Sequence, residues 1–355
     1  MTRPSAETRL MLDELERRLD PETEEDFIRQ WKDFHDGRFA GEIFRPVRKK
    51  LRPIDFPLPS IHINDAVEDL DLMLRSQLCS AFSALSRPWE CLGIRANYGT
   101  GILSSLFGAE LFMMPRETAT LPTTRAIGDT EKIRSILERG TPDLREGLGR
   151  RVFDFAEFTA EAFRPYPKIR RFLPVYHPDT QGPLDICELL WGGEMFYAMY
   201  DEPELVHGML DLVSGTYTAF LDRWFGVFPA GEELNTHWGT LMFRGGILLR
   251  DDSAMNLSPA LYEAFAAPYD GRLLSRFGGG VVHFCGRGDH YIPILSKLPG
   301  LTGINLSQPE YNDMEIIYRN TVDRGIKILA FREDRAKKDA GRPGGFHHNL
   351  SAIPG

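Results

Sequence analysis

The chain has 355 residues, 42 Lys+Arg against 51 Asp+Glu, and a formal charge of −9 with neutral histidines; 42% of it is hydrophobic and 26% charged. These are the values of a folded globular protein, and they exclude disordered, collagen-like and fibrous architectures. A net-acidic chain whose most basic run is Arg45, Arg48, Lys49, Lys50 and Arg52 argues against nucleic acid and for a small-molecule substrate.

Residues 6–19 place Leu10, Leu12, Leu15 and Leu19 near a helical repeat, and residues 25–34 place Phe27, Ile28 and Trp31 likewise, so two amphipathic helices are predicted. The Pro-punctuated stretch 46–59 then breaks regular structure. Residues 1–60 therefore read as an N-terminal helical extension, whose apolar faces pack on the main body or, alternatively, form a homodimer contact. Helices are predicted over 66–85, 203–228 and 259–277, the last opened by Ser258 as N-cap and Pro259 at the first helical position. Short β-rich runs occur at 92–96, 172–176, 246–249, 281–285, 301–306 and 326–331. From Val281 onward, strand and helix alternate with a period of roughly 25 residues, the spacing of βα units with parallel strands. Neither GxGxxG nor GxxxxGK[ST] occurs, so a closed (β/α)8 TIM barrel over residues 61–355 is preferred to a nucleotide-binding open sheet.

Cys79, Cys91, Cys187 and Cys285 form no CxxC pair, so a cytoplasmic location fits better than a disulfide framework. No apolar leader follows Met1, and no run of ~18 apolar residues occurs, which argues against export and membrane spanning.

The most informative segment is Val281-Val282-His283-Phe284-Cys285-Gly286-Arg287-Gly288-Asp289. Residues two apart on a strand share a face, so His283 and Cys285 point the same way near a strand's carboxyl end. There an imidazole and a thiolate can hold zinc; the alternative is a buried thiol beside a hydrogen-bonded histidine. His237, His290 and the pair His347-His348 are further ligand candidates. Asp251 and Asp252 follow a second strand, where paired carboxylates can bind a metal or share a proton, or lie in a solvated loop. Asn97 and Tyr98, between Arg95 and Gly99, suit either a ligand-lining loop or a plain turn. His177 and Asp179 are acid/base candidates in a third strand-end loop.

Asp251-Asp252, Leu257-Ser258-Pro259 with Tyr262, Phe265 and Pro268-Tyr269, and then His283-Phe284-Cys285-Gly286, preceded by Gly182-Pro183-Leu184-Asp185 and Asp201-Glu202-Pro203-Glu204-Leu205-Val206, together resemble motifs of the uroporphyrinogen decarboxylase superfamily. That group includes the decarboxylase and the cobalamin-related, zinc-dependent methyltransferases. The resemblance implies a TIM barrel, and its H-x-C-G phrase is similar to the methyltransferase branch, in which the histidine and cysteine bind zinc and the metal activates a methyl-accepting thiol. The branch's third ligand is a cysteine near the last strand, and none follows Cys285 here. If residues 345–351 are that strand, Ser351 holds the place and His347 or His348 would substitute; we take His283, Cys285 and His348 as the expected metal set. Asp252, Tyr98 and His177 are the expected catalytic residues, and Asn97, Arg95, Arg250 and Arg287 the expected substrate contacts, since arginines at strand ends, Arg332 among them, can pair with carboxylates. The expected function is methyl transfer between a corrinoid, free or carried by a partner protein, or another methyl donor, and a thiol. A cofactor-independent decarboxylase acting on a polycarboxylated tetrapyrrole is the alternative, although the decarboxylase's RQAGRY phrase is missing. A ligand-binding barrel without catalysis is the third reading.

Overall fold

The computed structural model describes residues 3–354. Ser5 and Asp20 accept the N–H groups of Thr8 and Thr23 and so cap α1 (Ala6–Arg18) and α2 (Pro21–His35), satisfying donors that a helix start otherwise leaves open. The stripe Met11, Leu12 and Leu15 of α1 joins the same core as Leu74, Leu78 and Phe82 of the helix Leu70–Leu85. α2 turns Phe27, Trp31 and Phe34 into a second core. Between them Arg48 is buried, bonding Glu24 and the carbonyls of Ala84, Arg87 and Glu90. The basic run is thus spent on internal ion pairs; Arg45 and Lys49 likewise pair with Glu333 and Asp26.

The architecture is mixed α/β around a six-stranded parallel sheet, in the order β1, β10, β9, β8, β7, β6. Its members are β1 (Ile43–Phe44), β6 (Ile247–Arg250), β7 (Gly280–Phe284), β8 (Leu301–Leu306), β9 (Lys327–Arg332) and β10 (Leu350–Ile353). The N-terminal region therefore contributes a strand as well as helices. Two antiparallel hairpins stand apart: β2 (Glu110–Phe112) with β3 (Thr123–Arg125), and β4 (Asn235–His237) with β5 (Leu241–Phe243).

Successive strand residues divide between the two cores. Leu249, Val282, Phe284 and Ile304 face the helices, whereas Leu248, Val281 and Leu329 face the other way, onto α2 and the β5 residues Leu241 and Phe243. This second face is the inner one. Parallel strands buried on both sides carry near-continuous apolar runs, as Gly280–Phe284 does.

Several elements differ from expectation for identifiable reasons. The 66–85 helix is divided at Asp69, which caps Leu70–Leu85, and the 259–277 helix is divided at Ala266, just ahead of Pro268. The β-rich runs 92–96 and 172–176 reduce to one parallel bridge, Ile94 with Val175. Pro174 beside it has no N–H to extend a ladder, and among the described residues no ladder links this bridge to β1 or to β6. The expected closed barrel thus appears as six continuously paired strands plus a separate bridge. The last strand begins only at Leu350, because His347 and His348 have φ of 50° and 61°, a left-handed conformation that no strand continues.

Phe34 is fully buried, stacked on Phe44 with ring centroids 4.5 Å apart, and the Lys327 ammonium sits 4.6 Å over its ring. Truncation by Phe34→Ala should cost about 3–5 kcal/mol, read as a lowered midpoint in urea denaturation. An unchanged midpoint would contradict the assignment of α2 to the inner core.

Candidate functional site

Strand register sets three polar side chains in a row across the inner face at the carboxyl ends. Arg250 of β6 pairs with His283 of β7, and His283 with Asn305 of β8. The His283 Nδ1 lies 2.6 Å from the Asn305 Oδ1, whose amide nitrogen donates to the Leu329 carbonyl at 2.7 Å. That second bond turns the amide oxygen towards the ring, so Nδ1 carries the hydrogen and Nε2 keeps its lone pair. Nε2 is 3.5 Å from the Cys285 Sγ and 3.5 Å from an Asp252 carboxylate oxygen. The Cys285 backbone N–H donates to that same Asp252 oxygen at 2.8 Å, which ties the two loops together.

Asp252, His283 and Cys285 place one ligand atom each within 4.8 Å of one another. Zn–N, Zn–O and Zn–S bonds of ~2.0–2.3 Å in a tetrahedron require ligand separations of roughly 3.3–3.6 Å. The two separations of 3.5 Å meet this without rearrangement. The donor set of one nitrogen, one sulfur and one oxygen also suits zinc, and three protein ligands leave a fourth position open. Burial and the Asp252 charge push the Cys285 thiol up to about 11, and burial holds the His283 imidazole below its ordinary value. A bound dication would reverse the first effect by favouring the thiolate.

Beneath Asp252 lies a buried acidic layer. Gly182 approaches β6 so closely that a Cβ there would stand 2.3 Å from the Arg250 carbonyl oxygen. This approach brings the start of the helix Pro183–Trp191 against the strand end. Its Asp185 accepts the N–H groups of Asp252 and Ser253 at 3.0 and 2.8 Å and so fixes the loop that presents Asp252. Asp251 and Asp270 are buried nearby, and burial pushes Asp185, Asp251 and Asp270 all upward. A proton held between Asp251 and Asp270 answers the repulsion of two adjacent buried carboxylates.

The floor comes from the β4–β5 hairpin. Its three-residue loop, Trp238 to Thr240, opens with a β-turn closed by a bond from the Thr240 N–H to the His237 carbonyl, with both central residues, Trp238 and Gly239, left-handed at φ of 51° and 69°. An indole at such a position is uncommon. It puts the Trp238 ring 4.6 Å from the Arg250 guanidinium and edge-on to His283 at 4.9 Å.

The expected metal set is corrected at one position. His348 precedes β10 at the opposite end of the sheet and is bound through Nδ1 to the Gly41 carbonyl, so it lies apart from His283 and Cys285; Asp252 occupies the third corner. Ser351 faces inward but accepts the Ala330 N–H. His290 bonds the Leu257 carbonyl. Of the residues expected to be catalytic, Tyr98 is fully buried on the helix side against Phe155, because the alternation that turns Arg95 and Asn97 inward turns Tyr98 outward. His177 is also withdrawn from chemistry: its Nδ1 lies 2.9 Å from the Pro178 carbonyl and its Nε2 accepts the Leu248 N–H at 3.0 Å. The ring spans the seam between the Val175 segment and β6 where no ladder runs. Arg250 and Arg95 converge on Asp179, Arg250 in direct contact and Arg95 at 3.7 Å. The Asn97 Oδ1 and the Arg95 Nη1 are buried without hydrogen-bond partners. Arg287 lies outside this group, 61% exposed and paired with Asp289, and Arg332 is likewise exposed, paired with Asp334.

Trp238, Asn305 and Asp270 were not marked by any spacing signal in the sequence. His237, fully buried with both ring nitrogens lacking hydrogen-bond partners, packs at a tilt against the rings of Tyr176 and His177.

No protein-family profile matches the sequence, and no curated protein matches it. Among solved structures the fold is similar to a methyltransferase from Methanosarcina mazei, with a TM-score of 0.58 at 16% identity, over 83% of this chain and 82% of that one. Among the described residues no helix is long and apolar enough to cross a membrane.

Burial pushes the His177 imidazole down to about 4, whereas in the unfolded chain it titrates near its ordinary ~6.5. The stability that the neutral ring contributes is therefore present above ~6.5 and lost as the pH falls towards about 4. His177→Leu should cost about 2–3 kcal/mol at pH 7, by stranding the Leu248 N–H, and less at pH 5. Urea denaturation at the two pH values checks this; an equal deficit at both would remove the titration argument.

Proposed function

We propose that the protein is a methyltransferase-like enzyme of the uroporphyrinogen decarboxylase superfamily, a (β/α)8 barrel in which Asp252, His283 and Cys285 hold zinc. The observation that carries this reading is the trio itself: three ligand atoms of three chemistries within 4.8 Å of one another, the imidazole nitrogen 3.5 Å from each of the other two, with the imidazole tautomer already set by Asn305. Likeness of fold to a methyltransferase and the H-x-C-G phrase support it.

Zinc bound there would act as a Lewis acid, lowering the pKa of a thiol presented at its open position. The chain's own residues prepare that position. Asn305 orients His283, Asp185 holds the Asp252 loop, and the Cys285 N–H bond to Asp252 couples both loops. Trp238 closes the floor and keeps water from the inner side. Arg95 and Asn97, with polar atoms still unpartnered, border the same space and would orient a polar substrate. In this reading the methyl donor is a corrinoid, free or carried by a partner protein, or another methyl donor. The decarboxylase reading is weaker because the two arginines that do converge, Arg250 and Arg95, meet on an internal carboxylate, Asp179, and Arg287 and Arg332 are turned to solvent.

Purified protein should contain about one zinc per chain by metal analysis, and Cys285→Ser and Asp252→Ala should lose it. Asn305→Ala should weaken zinc about 10–100-fold, the usual cost of removing a histidine's outer partner. Methylcobalamin with a panel of thiols should give demethylated corrinoid, seen by its absorbance, in the wild type alone. Equal zinc in wild type and Cys285→Ser overturns the site; full zinc with no methyl transfer to any thiol leaves a metal-binding barrel instead.

A further inference from the structure

A cavity of about 530 Å³ opens on the flank of the sheet, between the Val175 segment and the start of β6, the seam that the His177 ring spans. Small-molecule sites have volumes of ~300–1,000 Å³. Ala160 and Phe163 of the helix Gly147–Phe163 form one wall, and Phe225, Phe228 and Phe243 the other.

Three of the polar side chains in the wall are already satisfied, and the ring of a fourth, Tyr176, packs against His237. His177 bonds Pro178 and Leu248, Asn235 bonds Gly231 and Gly245, and Thr236 bonds the Leu241 carbonyl. Little along these walls is left to bond a polar ligand, so an occupant would be an unfunctionalised chain, held by burial of apolar surface. The mouth is different. No Asp, Glu or Lys lines the cavity, and its fully charged lining residues are Arg170 and Arg171, in a chain of net charge −9. Arg171 is paired with Glu25 at 2.7 Å, while Arg170 has no ion-pair partner among the described residues. A single uncommitted guanidinium fits one carboxylate through its planar fork.

We propose that this cavity is a binding site for a linear alkyl monocarboxylate, with the chain among the phenylalanines and the carboxylate on Arg170. It lies apart from the Asp252, His283 and Cys285 trio and does not depend on the reading of that site.

Isothermal titration of the full-length protein with decanoate tests this, with decylamine as the control of opposite charge. Expected are saturable one-to-one binding of decanoate, none of decylamine, and affinity lowered about tenfold or more by Arg170→Glu, the scale of a lost charge-assisted bond. Ala160→Trp, which fills the cavity, should abolish binding. Should that variant misfold, Arg170→Glu on the exposed helix surface still decides. Absence of saturable binding, equal binding of decylamine, or wild-type affinity in Arg170→Glu would each overturn the proposal. So would a dimer in sedimentation that Arg170→Glu dissociates, which would assign the cavity to a second copy of the chain.

Discussion

A strand's two-residue period is the constraint on which the candidate site rests. On β7 it sends Val281 to the inner core, His283 to the strand end above it, and Phe284 to the helices. Cys285 follows the same period from just beyond the strand. One residue inserted or removed before His283 would put the imidazole and the sulfur among aliphatic side chains. Because Leu248 and Leu249 of β6 obey the same alternation, Arg250 and His283 arrive side by side and Asp252 can reach across the turn. Packing of the two cores thus fixes the register, and the register fixes the separations within the trio.

Much of this was legible in the sequence because it is local. Helix starts with a capping side chain, the run 301–306, and the shared direction of His283 and Cys285 all follow from neighbours along the chain. What depended on distant partners was not legible. Asp252 appears as the third corner only because Asp185, 67 residues earlier, holds its backbone. Nothing in the spacing of the carboxyl-terminal histidines shows that His347 and His348 adopt left-handed conformations on the far side of the sheet. Tyr98 and Asn97 are adjacent, and choosing between them required knowing which face of the Ile94 segment is inner.

The acidic layer shows how such a site is held open. A carboxylate that accepts two backbone N–H groups, as Asp185 does, is a rigid anchor, yet it lies among Asp251 and Asp270 where burial disfavours charge. The two tendencies oppose each other. Extensive hydrogen bonding favours the ion, and desolvation favours the acid; a protonated neighbour resolves the conflict while Asp252 remains presented to the surface.

The Trp238 turn has a consequence for how this chain can vary. The same nine-residue segment, 235–243, supplies apolar bulk to the inner core through Leu241 and Phe243 and lays an aromatic ring beneath His283. Reshaping the surface beneath His283 therefore means recutting residues that pack the inner core. Variation is thereby confined to the loops above the strands, and the ring below behaves as a fixed datum from which those loops are measured.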